Sequence, residues 1–92
     1  MFLHLGQNTL IHQSDIIGIF DLDNTTVSKR TRDYLKKAEK SGRVVNVSSE
    51  LPKSFVVCDD GNGEFTVYIT QISSTTLLKR AENNDFNIST II

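Results

Sequence analysis

The stretch Ser28-Lys29-Arg30-Thr31-Arg32-Asp33-Tyr34-Leu35-Lys36-Lys37-Ala38-Glu39-Lys40-Ser41-Gly42-Arg43 decides the fold class of this 92-residue chain. Its apolar residues recur at helical spacing, whereas the segments around it alternate or run as short strands. At about 100° per residue, Val27, Thr31, Tyr34, Leu35 and Ala38 fall on one stripe, and Lys29, Arg32, Lys36 and Lys40 gather on the opposite face. One face is built to pack and the other to meet solvent or an anion. Asn24, Thr25 or Thr26 supplies an N-cap side chain. Ser41-Gly42 ends the helix, with Gly42 in the left-handed conformation and Lys40 and Arg43 near the negative end of the dipole.

Outward from the helix the chain reads as β-structure. On the N-terminal side, Phe2 to Leu5 and Thr9 to His12 flank the turn residues Gly6-Gln7-Asn8, and Ile16 to Phe20 is a third run rich in β-branched residues. On the C-terminal side, Val44 to Val47 and Ser54 to Cys58 are strands separated by a polar loop that contains Pro52, the single proline. Asp59-Asp60-Gly61-Asn62-Gly63 is the strongest turn signal and leads into Glu64 to Ile72, where Phe65, Val67 and Ile69 alternate. Ser73 or Ser74 caps a short final helix through Leu77, Leu78 and Ala81, and Asn83-Asn84 stops it. The expected fold is therefore α+β: a mixed, mostly antiparallel sheet of about five to six short strands, one longer basic helix and one short C-terminal helix. Residues 1–84 form the expected domain, and 85–92 an apolar tail that either docks or stays disordered.

Seven of the ten lysines and arginines fall between Lys29 and Arg43, opposed only by Asp33 and Glu39, while the other 77 residues carry three cations and nine acids. The net charge of -1 is thus a local +5 joined to a body of -6, an asymmetry that points toward a polyanionic partner. A chain of this length with 38% hydrophobic residues buries about 60 to 65% of its unfolded surface around one core, which leaves no room for a second catalytic domain. Cys58 is the single cysteine and lies in an apolar run. An intrachain disulfide is excluded, and a buried, reduced thiol in the cytoplasm is expected. Met1-Phe2-Leu3-His4 lacks the basic and long apolar regions of a signal peptide, and no stretch reaches membrane-spanning length.

Chemistry-bearing patterns are few. Ile17-Gly18-Ile19-Phe20-Asp21-Leu22-Asp23-Asn24-Thr25 resembles the first motif of the haloacid dehalogenase phosphatases, an apolar strand ending in Asp-x-Asp-x-Thr. That resemblance implies Asp21 as nucleophile and Asp23 as general acid around Mg²⁺, with Asp59-Asp60 as a distal acidic pair. The mechanism needs a metal site, a cationic stabiliser and a parallel sheet with long crossovers, which usually take about 150 residues or more. The structural reading is a strand-to-helix loop with acids near a helix N-terminus. His4 and His12 lie on the two strands of the first hairpin. Two histidines without a third ligand make a weak metal site, so cross-strand packing or surface exposure is expected, with no metal or cofactor.

Taken in order, Phe2-Leu3-His4-Leu5-Gly6, Asp15-Ile16-Ile17-Gly18-Ile19-Phe20-Asp21, Pro52-Lys53-Ser54-Phe55-Val56-Val57 and Ser73-Ser74-Thr75-Thr76-Leu77-Leu78-Lys79-Arg80-Ala81 resemble the bacterial extracellular matrix regulatory proteins RemA and RemB, nearest the RemB branch. The resemblance implies a cytoplasmic, non-enzymatic DNA-binding regulator of biofilm matrix genes, whose small subunits form a ring with DNA around its outside. In the RemA branch an arginine matches Asp15, and several arginines match the Leu51-Pro52-Lys53 loop, where only Lys53 is basic here.

The expected partners are double-stranded DNA and further copies of the chain, with no membrane and no small-molecule substrate. The candidate phosphate contacts are Lys53, from the resemblance, and Arg30, Arg32, Lys36, Lys37 and Lys40, from charge geometry. A ring-forming scaffold that binds proteins is the second reading, and the phosphatase a remote third.

Overall fold

The computed structural model describes residues 1–22, 28–59 and 61–83. In chain order the elements are strands β1 (Phe2–Gly6), β2 (Thr9–His12) and β3 (Ile16–Asp21), helix α1 (Lys29–Lys40), strands β4 (Val44–Asn46), β5 (Ser54–Asp59) and β6 (Phe65–Thr70), and helix α2 (Ser74–Asn83), with a short 3₁₀ turn at Gln13–Asp15. The expected α+β class, strand number and two helices are all present. The strands form two sheets, a β1–β2 hairpin and a four-stranded sheet of order β3-β5-β6-β4. Pairing is antiparallel for β1–β2, β3–β5 and β5–β6, and parallel for β4–β6.

Strand β5 is buried on both of its faces, which explains why it reads as an unbroken apolar run. Phe55 and Val57 of β5 join Val67 and Ile69 of β6 under Ala38, Tyr34 and Leu35 of α1. Val56 and Cys58 point the other way, into a cluster with Leu3, Leu5, Ile11, Leu77 and Ala81 from the hairpin and α2. The molecule is thus layered: α1, the sheet, then the hairpin and α2.

Strand β3 serves both layers through a bulge. Ile16 and Ile19 belong to the same cluster on the hairpin side, yet residues three apart point to opposite faces of a regular strand. The register shift between Ile16 and Gly18 supplies the extra residue that brings both to one side. In the hairpin turn, Gln7 and Asn8 have φ of 48° and 65°, the left-handed pair that matches strand twist in a two-residue connection.

The hairpin is tied to the sheet by a buried polar contact. The Thr70 hydroxyl donates to the Leu5 carbonyl at 2.7 Å and accepts from the Ile72 amide at 3.1 Å. Replacing Thr70 by valine keeps the volume and strands both backbone groups. The expected loss is about 1 to 3 kcal/mol, read as a lower urea midpoint with an unchanged slope.

One helix boundary differs from expectation, and a second falls on one of the two residues expected. The N-cap of α1 is Ser28, whose hydroxyl accepts the Thr31 amide at 3.2 Å. The helix therefore starts later than a cap at Asn24, Thr25 or Thr26 would place it, and those three residues lie outside the described ones. For α2 the cap is Ser73, which accepts the Thr76 amide at 3.2 Å. Residues 84–92, expected as a docked or disordered tail, also lie outside the described residues.

Candidate nucleic-acid interface

Helix α1 is held in place at both ends and along one face, which leaves its basic side free. At the C-terminus the Gly42 amide bonds to the Glu39 carbonyl and the Arg43 amide to the Ala38 carbonyl, with Gly42 at φ 70°. This pair of bonds is the Schellman arrangement, and it ends the helix where the sequence placed the stop. Arg43 is engaged further: its Nη1 donates to the Phe65 carbonyl at 3.4 Å, and its own carbonyl accepts the Val67 amide. Ala38 is fully buried, Thr31, Tyr34 and Leu35 are half-buried, and Lys29, Arg30, Arg32, Lys36, Lys37 and Lys40 are all exposed.

Apart from Lys37 and Lys40, which the dipole favours in the last turn, the exposed cations are arranged against the helix's own stability. Lys29, Arg32, Lys36 and Lys40 succeed one another at three- and four-residue spacing, where like charges are neighbours and each pair costs about 0.2 to 0.5 kcal/mol. The first turn holds no acidic residue, yet it carries Lys29, Arg30 and Arg32 beside the positive end of the dipole, where cations are disfavoured by about 0.3 to 1 kcal/mol each. Asp33 offsets part of this as a four-residue neighbour of both Lys29 and Lys37. The stripe extends about 16 Å at 1.5 Å per residue, the rise of about five base pairs of duplex DNA.

Lys53 stands at the end of the sheet where α1 begins. Its carbonyl accepts the Leu22 amide and its amide donates to the Thr70 carbonyl, at 2.8 and 2.9 Å, so its exposed side chain projects from an anchored backbone. Asp15, by contrast, lies at the opposite end of β3 and beside the hairpin-side core, among His12, Cys58 and Tyr68. The six predicted cations therefore occupy α1 and one adjoining sheet end, while the Asp15 position faces elsewhere.

Of the phosphatase-like acids, the two among the described residues stand apart. Asp21 pairs with Ser54 at the start of β5 and Asp59 ends that strand, five residues and about 17 Å away. The strand bearing Asp21 is antiparallel to its neighbour, and Asp23 and Asp60 lie outside the described residues. The hairpin register pairs His4 with Leu10 and His12 with Phe2. His12 packs against the Phe2 ring, tilted by 36° with centroids 4.4 Å apart, so the two histidines are not cross-strand partners. Among the described residues, no three His, Cys, Asp or Glu side chains are placed to hold a metal ion.

Cys58 is buried and free. Burial, reinforced by the Asp15 carboxylate, pushes its thiol up to about 12. The folded protein then keeps a proton that the unfolded chain gives up nearer the ordinary thiol value, so this stabilisation is complete below that value and disappears as pH rises toward 12. Iodoacetamide at about pH 8 should leave native Cys58 unmodified and alkylate it in urea, as read by mass.

The fold and exposed helix define a class: small α+β proteins that present one self-repelling basic face over a sheet closed on its other side. The chain belongs to the RemA-like family, Extracellular matrix regulatory protein A-like, which matches residues 2–81. It is 35% identical over 82 residues to Extracellular matrix regulatory protein B of Bacillus subtilis (strain 168), covering 89% of this chain and 91% of that protein. Among the described residues no helix is long and apolar enough to cross a membrane.

Proposed function

We propose that this extracellular matrix regulatory protein is a cytoplasmic, non-enzymatic regulator that acts on double-stranded DNA, gripping the phosphate backbone as a homo-oligomer, in a ring or a closed assembly of that kind. The observation that carries the reading is the stripe Lys29, Arg32, Lys36 and Lys40, exposed on α1 with its like charges as neighbours and its N-terminal cations beside the positive end of the dipole. A face that lowers stability is better explained by a partner that neutralises it than by solvation alone. Arg30, Lys37 and Lys53 flank the stripe, and a phosphate near the first turn would meet both the cations and the helix dipole.

Such contacts read charge and spacing and carry no base information. One subunit with two or three phosphate contacts binds weakly. Several subunits along one duplex raise the total through effective concentration. The test is a mobility-shift titration of unrelated duplexes at rising salt. Binding should be indifferent to sequence, and log K should fall against log salt with a slope of about -0.9 per phosphate neutralised.

The scaffold reading draws support from the acidic Asp15 and from Lys53 as the one cation in its loop. Absence of any shift at low salt would favour it over DNA binding.

A further inference from the structure

We propose that the open groove between α1 and the β3–β5 half of the sheet is a binding site for a small carboxylate with a flat apolar body, its anionic end held by Arg30. Among the described residues, helix α1 makes its closest approaches to β4 and β6, so it covers one half of its sheet face and leaves the other open. The result is a groove of about 330 Å³, within the range of small-molecule sites.

Its floor is aromatic and flat for a specific reason. Gly18 is buried in β3, and a Cβ there would lie 2.8 Å from the Phe20 ring. Glycine lets that ring lie down over the strand, where it stacks on Phe55 with centroids 4.7 Å apart and planes 5° from parallel. The bulge in β3 brings Ile17 to the same side, so Ile17, Phe20, Phe55 and Val57 form a continuous apolar surface.

Two of the large apolar residues in the groove remain unusually open, Ile17 at 50% and Phe65 at 38% exposure. Leaving such surface wet costs roughly 25 cal/mol per Å², which an apolar occupant recovers. The wall supplied by α1 is Tyr34, Thr31 and the exposed Arg30. A guanidinium at the rim of an otherwise apolar slot selects a planar anion, because its fork pairs two N–H groups with two carboxylate oxygens. The stacked floor selects a flat body in place of a branched one.

The experiment titrates the full chain with 2-naphthoate, following backbone amides by NMR without DNA, so that its result is independent of the nucleic-acid reading. Saturable shifts confined to Ile17, Phe20, Phe55, Arg30 and Phe65 are expected. Neutral 2-naphthamide should bind about tenfold more weakly or worse, and Arg30→Gln should lower naphthoate affinity by a similar factor. Phe65→Ser, at the exposed end of the groove, should weaken both ligands alike and keep the protein folded. The proposal is overturned if naphthoate moves none of these amides at millimolar concentration, or if the amide and Arg30→Gln match the parent pair. Shifts of the same amides with protein concentration alone would also overturn it, because they would show a second copy seated in the groove.

Discussion

Replacing Lys36, Lys37 and Lys40 together by glutamate should remove measurable DNA binding at moderate salt while the protein stays folded. The three side chains are exposed on the C-terminal half of α1, and the substitution changes each subunit by six charges, taking the 29–43 segment from +5 to -1. Loss of three phosphate contacts removes about 2.7 from the salt slope, which at about 0.1 M salt corresponds to a loss of roughly 500-fold per subunit before any repulsion is counted. The effect on stability is small because the contributions oppose. Like-charge pairs such as Arg32 with Lys36 become attractive, worth a few tenths of a kcal/mol each, while two glutamates in the last turn meet the negative end of the dipole at about 0.3 to 1 kcal/mol each. Mobility shift and urea unfolding measured on the same preparation separate these effects. Unchanged DNA affinity in a variant with a parental unfolding midpoint would reduce the basic stripe to a solvated helix face.

Local signals and long-range pairing differ in what a sequence reader can recover here. The apolar stripe of α1, the Gly42 stop and the turn at Gln7-Asn8 are short-range features, set by helical period and by backbone conformations that few residue types favour. Each is present in the structure. Sequence alone does not single out Ser28 as the cap, because Asn24, Thr25 and Thr26 are equally good cap residues, and only the end of β3 decides how many residues the connection spends before the helix begins. The split into two sheets was also out of reach. Nothing in the short run Val44–Asn46 says that it pairs in parallel with β6, since that register is chosen by α1 carrying the chain across the sheet.

The same division holds for the site. That the cations lie on one exposed face follows from their spacing. Arg43 does not belong with them in the same way, because its guanidinium bonds to a carbonyl on β6, a contact 22 residues away that no local pattern encodes. The groove was invisible for a similar reason. Its apolar residues come from β3, α1, β5 and β6, each reading as ordinary core, and it exists only because α1 lies toward β4. Gly18 sits within the apolar run Ile16 to Phe20. Its structural reason, the Phe20 ring lying on it, requires knowing which face both residues share.

The largest effect on stability should come from Leu77→Ala. Leu77 is fully buried and is the one large side chain that α2 places wholly in the core, beside the smaller Ser74 and Ala81. Truncation loses the transfer free energy of the removed carbons and leaves a cavity against Leu3, Leu5 and Val56, a combined cost of about 2 to 5 kcal/mol. At about 4 to 8 °C per kcal/mol for a chain of this size, the melting temperature should fall by roughly 8 to 40 °C. The same change at half-buried Leu78 should cost about 1 kcal/mol or less. A ten-residue helix does not persist in water without its packed face, so two outcomes can be told apart by amide exchange. If α2 is cooperative with the sheet, amides of β5 and α2 lose protection together; if it undocks alone, protection falls in α2 and persists in β5. The hydrogen bond from Arg80 Nη1 to the His4 carbonyl, at 3.0 Å, couples α2 to the hairpin and favours the first outcome. Because α1 lies on the other face of the sheet, folded Leu77→Ala at low temperature should shift DNA as well as the parent does. A matching loss of DNA binding there would mean that the hairpin and α2, and not α1 alone, build the surface that meets the nucleic acid.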